Sequence, residues 1–461
     1  MANTNTNINS NRKLHLGLFL FSTGYHPAGW RLTESVADGA FDPKFLQRVA
    51  QRLEEAKFDF FFLGDALASS ADMQYQFPSQ MVRMEPFTMI AHLTAVTDKI
   101  GLIVTANTTY AEPYHIARQT ASLDYLSSGR TAWNVVTGAD ARAAQNFSRE
   151  KHWDNARRYD YAEEFVQIVK DLWDSWEDDV FVRDKATGVY VDETKVHALN
   201  HKGAHFSVAG PLNVARPPQG QIPLLSAGTS ERSQELGAQF SNVIFTGQVL
   251  LEDAQAFYAS IKGKLAKYGR SKDELFIMPG LAPLVGRTEE EARAKYRELS
   301  ELLVTNFDLK PLSDRIGIDL TAYPLDGPLP ELSLSTLPIK EVTAIVGLAQ
   351  KASGHADITV RELFHYFSAI ARGHRLIVGS PEQIADQMEE WFVGEAADGF
   401  NICPPYLPGG LDLFIDLVVP ELQRRGLFRI EYEGSTFREH FGLSRPESVW
   451  AKQKQAALQG E

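Results

Sequence analysis

What most limits the fold of this chain is an alternation: short β-type runs, each followed by a stretch of helical period, recur from Leu14 almost to the C-terminus. Leu14–Leu20 (LHLGLFL) reads as a strand, and Pro43–Lys57 as a helix with Asp42 as its cap and proline in its first turn. Asp59–Leu63 (DFFFL) is apolar without interruption, as a strand covered on both faces requires. Helix Glu85–Thr97, strand Ile100–Thr105, helix Pro113–Leu126, strand Thr131–Val136 and helix Asn155–Trp173 follow in order. The later strands are Ile222–Ser226, Asn242–Phe245, Leu275–Val285 (broken by Pro279 and Gly280) and Asp398–Ile402. Between them lie helices Ser230–Gln239 and Leu251–Tyr268, one opened by Thr288, and one capped by Ser380 that runs to Trp391; helix Asp412–Arg425 closes the series. Eight strands in parallel alternation fit a (β/α)8 barrel, and a doubly wound open sheet gives the same pattern.

Two excursions interrupt it. Ser175–Gly220 is rich in acidic turns, Gly and Pro. Asn306–Thr359 is Leu/Pro-rich without a clean period, which suits a lid that shapes a substrate pocket. Residues 1–13 are polar and read as a disordered tail, 14–443 as the barrel with insertions around 175–220 and 306–360, and 444–461 as a C-terminal tail. With 461 residues, a barrel with insertions fits as one domain.

A net charge of −13 disfavours nucleic acid or an anionic membrane as partner. The N-terminus has no apolar signal core and no apolar run reaches spanning length, so a soluble cytoplasmic protein is expected. Cys403 is the only cysteine, which leaves no intrachain disulfide and no C-x-x-C motif. The histidines lack metal-site spacing, so no metal is expected. Nucleophile-elbow, Walker and dinucleotide fingerprints are also missing.

Barrel chemistry sits at the C-terminal ends of the strands. Following those runs are Gly64-Asp65; Thr105, Ala106 and Asn107; Thr137-Gly138; and Ala227-Gly228-Thr229-Ser230. Such small and polar groups suit a polar cofactor better than acid–base hydrolysis. The turn in SAGTSERSQEL presents helix N–H groups and the Ser230 hydroxyl, which either hold a phosphate or simply cap the helix. Asp65 reads equally as a ribityl or flavin contact and as a turn residue. Tyr159 reads as a phosphate contact or as a half-buried ring under a loop. Thr105, Asn107 and Asn134 are the candidate catalytic residues. Phe19, Phe21, Trp30 and Phe62 line a dry pocket or belong to the core. His26, Trp30 and Arg31 are candidates for substrate contact, Arg31 through a carboxylate.

EPFTMIAHLTAVTDKIGLIVTANTTYAEPYHIARQTASLDYLSSGRTAWNVVTG (Glu85 to Gly138), RYDYAEEFVQIVKDLWDSWEDD (Arg158 to Asp179) and GSPEQIADQMEEWFVGEAADGF (Gly379 to Phe400) together resemble one family. It is the nitrilotriacetate and dibenzothiophene-sulfone monooxygenase branch of the bacterial luciferase-like superfamily. That resemblance implies a luciferase-like (β/α)8 barrel using reduced FMN, supplied in trans by a separate NAD(P)H:FMN oxidoreductase. It also implies oxygen transfer through a flavin peroxide to a small organic substrate, with C–S or C–N cleavage, in a homodimer or homotetramer. By position, the FMN contacts are Asp65, Thr105, Thr137, Gly138, Asn155, Tyr159, Ala227, Gly228, Thr229 and Ser230. The family's H-x-x-R-Y pattern has Asn155 in place of its histidine, which removes a proton carrier but keeps a hydrogen-bonding side chain. Competing readings are a deazaflavin-dependent oxidoreductase and a flavin-binding barrel without turnover.

Overall fold

The computed structural model describes residues 12–74, 78–303, 308–370 and 373–459. Its eight barrel strands are β1 (His15–Phe19), β2 (Phe60–Leu63), β3 (Gly101–Asn107), β4 (Thr131–Val136), β5 (Leu224–Ala227), β6 (Val243–Thr246), β7 (Phe276–Val285) and β8 (Gly399–Ile402). Each pairs in parallel with the next, and β8 returns to β1 through the register His15↔Gly399 to Leu18↔Ile402. The sheet is closed. That settles the barrel against the open doubly wound sheet.

Alternate strand residues face inward. Phe60, Phe62, Ile103, Ala132, Leu225, Val243, Phe245 and Met278 fill the interior, and Phe437, Phe441 and Leu443 join them. Gly17 on β1 makes room, since a Cβ there would stand 2.0 Å from the Phe60 ring. Outward residues such as Leu16, Leu18, Phe61, Leu102 and Val104 pack beneath the helices Pro43–Glu55, Pro86–Thr94 and Pro381–Val393. These helices start where their caps dictate. Asp42 accepts from Lys44 N and Phe45 N, Glu85 from Phe87 N and Thr88 N, and Ser380 from Gln383 N.

Three local expectations need correction. β7 is continuous through Pro279 and Gly280. Pro279 stands at the last register position against β6 (Thr246↔Pro279), where a missing N–H removes little. From Gly280 onward β7 changes neighbours, pairing over Leu281–Val285 with a strand the sequence reading missed, Arg375–Gly379. The second excursion is not aperiodic, because it carries the helix Ile339–Ser353, whose Val342, Ile345, Val346, Ala349 and Ala352 are buried at helical spacing. With helix Val360–Ala369 it forms a core of its own against Phe21, Tyr25 and Tyr406. The closing helical rod starts at Gly409 and widens into a π turn over Phe414–Val418, just ahead of Pro420, which cannot donate an N–H.

Of residues 1–13, only Arg12 and Lys13 are among the described ones. Residues 444–461 carry the helix Val449–Gln459. Trp450 donates to the Asp174 carbonyl at 3.0 Å and stacks on His197 at 3.8 Å, so this end of the chain is fastened to the first excursion. Among the described residues no helix is long and apolar enough to cross a membrane.

Candidate active site

A cavity of about 390 Å³ opens at the C-terminal ends of β2 to β5. Asp65 borders it from β2, Asn107 from β3, Thr137 and Gly138 from β4, and Ala227 and Gly228 from β5. Asn155, Arg158 and Tyr159 enter from the helix Asn155–Trp173, and Ser233 from the helix Glu231–Phe240. Thus eight of the ten residues proposed from sequence as cofactor contacts gather at one mouth or directly beneath it; Thr229 and Ser230 stand exposed on the adjoining turn. Thr105 lies beneath, buried, donating to the Leu63 carbonyl at 2.8 Å and accepting from Asn134 Nδ2 at 3.0 Å. This pair ties the ends of β2, β3 and β4 together. Asn134 Oδ1 is buried with no hydrogen-bond partner.

Two glycines shape the wall. Gly138 has φ +72°, and a Cβ on it would stand 2.4 Å from Asn107 Nδ2. Gly228 has φ +128°, with a Cβ position 2.9 Å from Ser233 Oγ and 3.9 Å from the Tyr159 hydroxyl. Side chains at these points would fill the cavity and strain the backbone. Ser230 caps its helix by accepting from Ser233 N at 3.3 Å, while Ser233 Oγ donates to the Ser230 carbonyl at 2.8 Å. Ser233, three residues past the turn, therefore reaches the cavity, and the sequence reading stopped one helical turn short of it. Asn107 accepts from Thr109 N at 2.8 Å.

The charges are unevenly placed. Burial pushes the Asp65 carboxyl above its usual range, with the Arg83 charge opposing. Arg158, which the sequence reading did not single out, is buried near the start of its helix. It donates to the Gly138 carbonyl and to Thr137 Oγ1 at 3.3 Å, and its Nε has no partner. A cation at a helix N-terminus opposes the helix dipole, so a buried one there is understandable only beside an anion. The one available signal was the arginine adjoining Tyr159 in ARRY. His152 pairs with the Tyr110 hydroxyl at 2.6 Å through Nδ1.

The three residues proposed for substrate contact do not line this cavity. His26 is buried, accepts from Ala28 N at 3.1 Å, and is driven to a pKa of about 3 by burial and by His365, which leaves it neutral. Trp30 is 40% exposed, and the Arg31 guanidinium is engaged by the Leu302 carbonyl at the surface. Phe21 and Phe62 are core residues and Phe19 is half-buried; these three form one ring cluster with Phe245. Among the described residues no group of His, Cys, Asp and Glu could hold a metal ion.

A closed parallel barrel with its polar groups gathered at the C-terminal mouth is the architecture of an enzyme. The chain belongs to the luciferase-like monooxygenase family, whose profile matches residues 18–398. It is 49% identical over 442 residues to the N-acetyl-S-(2-succino)cysteine monooxygenase of Bacillus subtilis (strain 168), covering 96% of this chain and 99% of that one. Nitrilotriacetate monooxygenase component A of Aminobacter aminovorans is 46% identical over 454 residues, with 96% and 99% covered. Among solved structures, a riboflavin lyase with modified FMN and riboflavin superposes with a TM-score of 0.78 at 30% identity, over 95% of this chain and 97% of that one. The protein is a monooxygenase.

Proposed function

We propose that the protein is the oxygenase component of a two-component system that takes reduced FMN from a separate NAD(P)H:FMN oxidoreductase and oxygenates a small organosulfur or amine substrate. The observation that carries this reading is Arg158, a buried guanidinium at a helix N-terminus, facing a cavity walled by two positive-φ glycines. A flavin phosphate supplies the missing anion. The phosphate would lie between Arg158, Tyr159, Ser233 and the N–H groups after Gly228. Asp65 and Asn107, at the ends of β2 and β3, would meet the polar edges of the flavin. Asn134, donating through Nδ2 to Thr105, and Thr105, donating to the Leu63 carbonyl, would hold the strand ends that position those contacts.

Bound reduced FMN supplies the electrons that activate oxygen; the protein contributes orientation and exclusion of water. Cleavage of a C–S or C–N bond accords with the substrates in the relatives' names. A homodimer or homotetramer, a cytoplasmic location and one barrel domain between residues 14 and 443 belong to the same reading.

The test is anaerobic titration with reduced and oxidised FMN, followed by turnover with a generic flavin reductase and mass detection of an added oxygen atom. Tight binding of reduced FMN and a product heavier by one oxygen are expected. Binding of a deazaflavin in preference to FMN, or flavin binding without any oxygenated product, would replace this reading.

A further inference from the structure

A second cavity, of about 270 Å³, lies at the N-terminal end of the barrel. His15 and Phe276, which open β1 and β7, and Asp398, which precedes β8, form its barrel side. The C-terminal segment forms the other side, chiefly through Arg429, Glu439 and His440. Most of the polar groups here are spent. Asp398 accepts from Arg12 at 2.6 Å, Tyr258 at 2.9 Å and Ile277 N at 2.8 Å, and faces Lys262 at 3.1 Å. Glu439 caps its own helix, accepting from Ser435 N at 2.7 Å and Thr436 N at 3.0 Å. Two groups are not spent. His440 is only 4% exposed, and neither of its ring nitrogens has a hydrogen-bond partner. Arg429 turns Nη2 to Asp59 and to the His440 carbonyl, and leaves the buried Nη1 without a partner.

We propose that this cavity is a second ligand site, which takes a small monocarboxylate on Arg429 Nη1 and the His440 ring N–H and so fastens the C-terminal segment to the barrel. The proposal is independent of the FMN reading. Burial drives the His440 pKa to about 4 although the Asp59 charge opposes it, so at neutral pH the ring is uncharged and offers one donor and one acceptor. With the N–H groups of Arg429 Nη1 added, buried donors outnumber buried acceptors, and a ligand must bring acceptor oxygens. A guanidinium N–H pairs more strongly with an ionised oxygen than with water. The charges around the cavity limit the ligand's own. Arg12, Lys13 and Arg429 are balanced by Asp398, Glu433 and Glu439, so a single negative charge is tolerated and a second meets the exposed Glu433 and Glu439 carboxylates.

The experiment titrates the full chain, carrying 13C at the histidine ring carbons, with sodium acetate, and in parallel with sodium chloride at equal concentration. The His440 signal is assigned with His440→Gln or, should that variant not fold, His440→Phe. It should shift saturably with acetate, with a dissociation constant on the order of 1–10 mM, the worth of about two hydrogen bonds of which one is charge-assisted. Chloride should not reproduce the shift. Thermal unfolding of the same samples should show wild type stabilised by roughly 2–4 °C at about 100 mM acetate, and His440→Phe by much less. A His440 signal that does not saturate, or that chloride moves equally, would mean that water alone meets these groups and would overturn the site. Equal stabilisation of His440→Phe would put the acetate elsewhere, which overturns it as well.

Discussion

The two ends of the barrel treat charge in opposite ways. At the N-terminal end Asp59, fully buried, accepts from Arg429, from His15 Nδ1 at 2.7 Å and from Leu16 N at 2.7 Å. Asp398 there meets Arg12 at 2.6 Å, Lys262 at 3.1 Å and Ile277 N at 2.8 Å. Phe437 and Phe441 plug the opening, stacked with each other and with Phe60. The mouth is different. Arg158 keeps an unpartnered Nε, Asn134 an unpartnered Oδ1, and two glycines leave space where side chains would fit. One end spends most of its polar groups on one another, and the other leaves several facing an open cavity. The contrast has exceptions, for at the closed end His440 has no partner at either ring nitrogen and Arg429 none at Nη1, and both border a cavity of about 270 Å³.

Substitutions at the closed end should cost stability and leave flavin binding alone. The largest effect is expected for Asp59→Ala, which strands Arg429 and should lower unfolding free energy by about 3–5 kcal/mol in urea denaturation. A smaller cost would mean the pair is more hydrated than its burial indicates.

Asp124 comes next. Burial lifts its pKa to about 6 despite hydrogen bonds from Gln219. Its folded pKa lies above the unfolded value, so the native state holds the extra proton between the two. Stability should therefore fall as pH rises from about 4 to about 6, by up to roughly 3 kcal/mol. Asp124→Asn should abolish that slope in denaturation measured across this pH range.

The mouth should behave in reverse. Arg158→Met is expected to weaken FMN binding by about 10–100-fold, the worth of one or two charge-assisted hydrogen bonds. Its unfolding free energy should stay level or rise, because a buried, under-partnered cation is gone. A large drop in stability with intact FMN affinity would move Arg158 to the structural side of the comparison. The smallest effect is expected for Gly228→Ala, about 1 kcal/mol of backbone strain with a loss of FMN affinity from the filled cradle. Calorimetry and flavin titration on one sample read both.

The legible parts of the fold have local causes. Helices Pro113–Leu126 and Asn155–Trp173 and strand Thr131–Val136 match their sequence-predicted bounds, since prolines, caps and apolar runs act within a turn or two. Strand Arg375–Gly379 was missed because it follows an insertion with helices of its own, so it falls outside the strand–helix alternation. In the candidate site, Asp65, Asn107 and Gly138 were legible from a positional rule about strand ends. Arg158 was not, because ARRY offers two adjacent arginines, and only the rotation of the helix against β4 turns one inward and leaves Arg157 exposed.

The sequence by itself determined the alternation, the helix starts and the residues following each strand, all consequences of hydrogen bonding and burial within a few positions. Tertiary structure alone decided that β8 closes on β1, that Arg158 enters the cavity at the strand ends, and which charges are paired. Those contacts join residues far apart in the chain, so no local periodicity encodes them; they follow from how the whole sheet curls to bury its inner face.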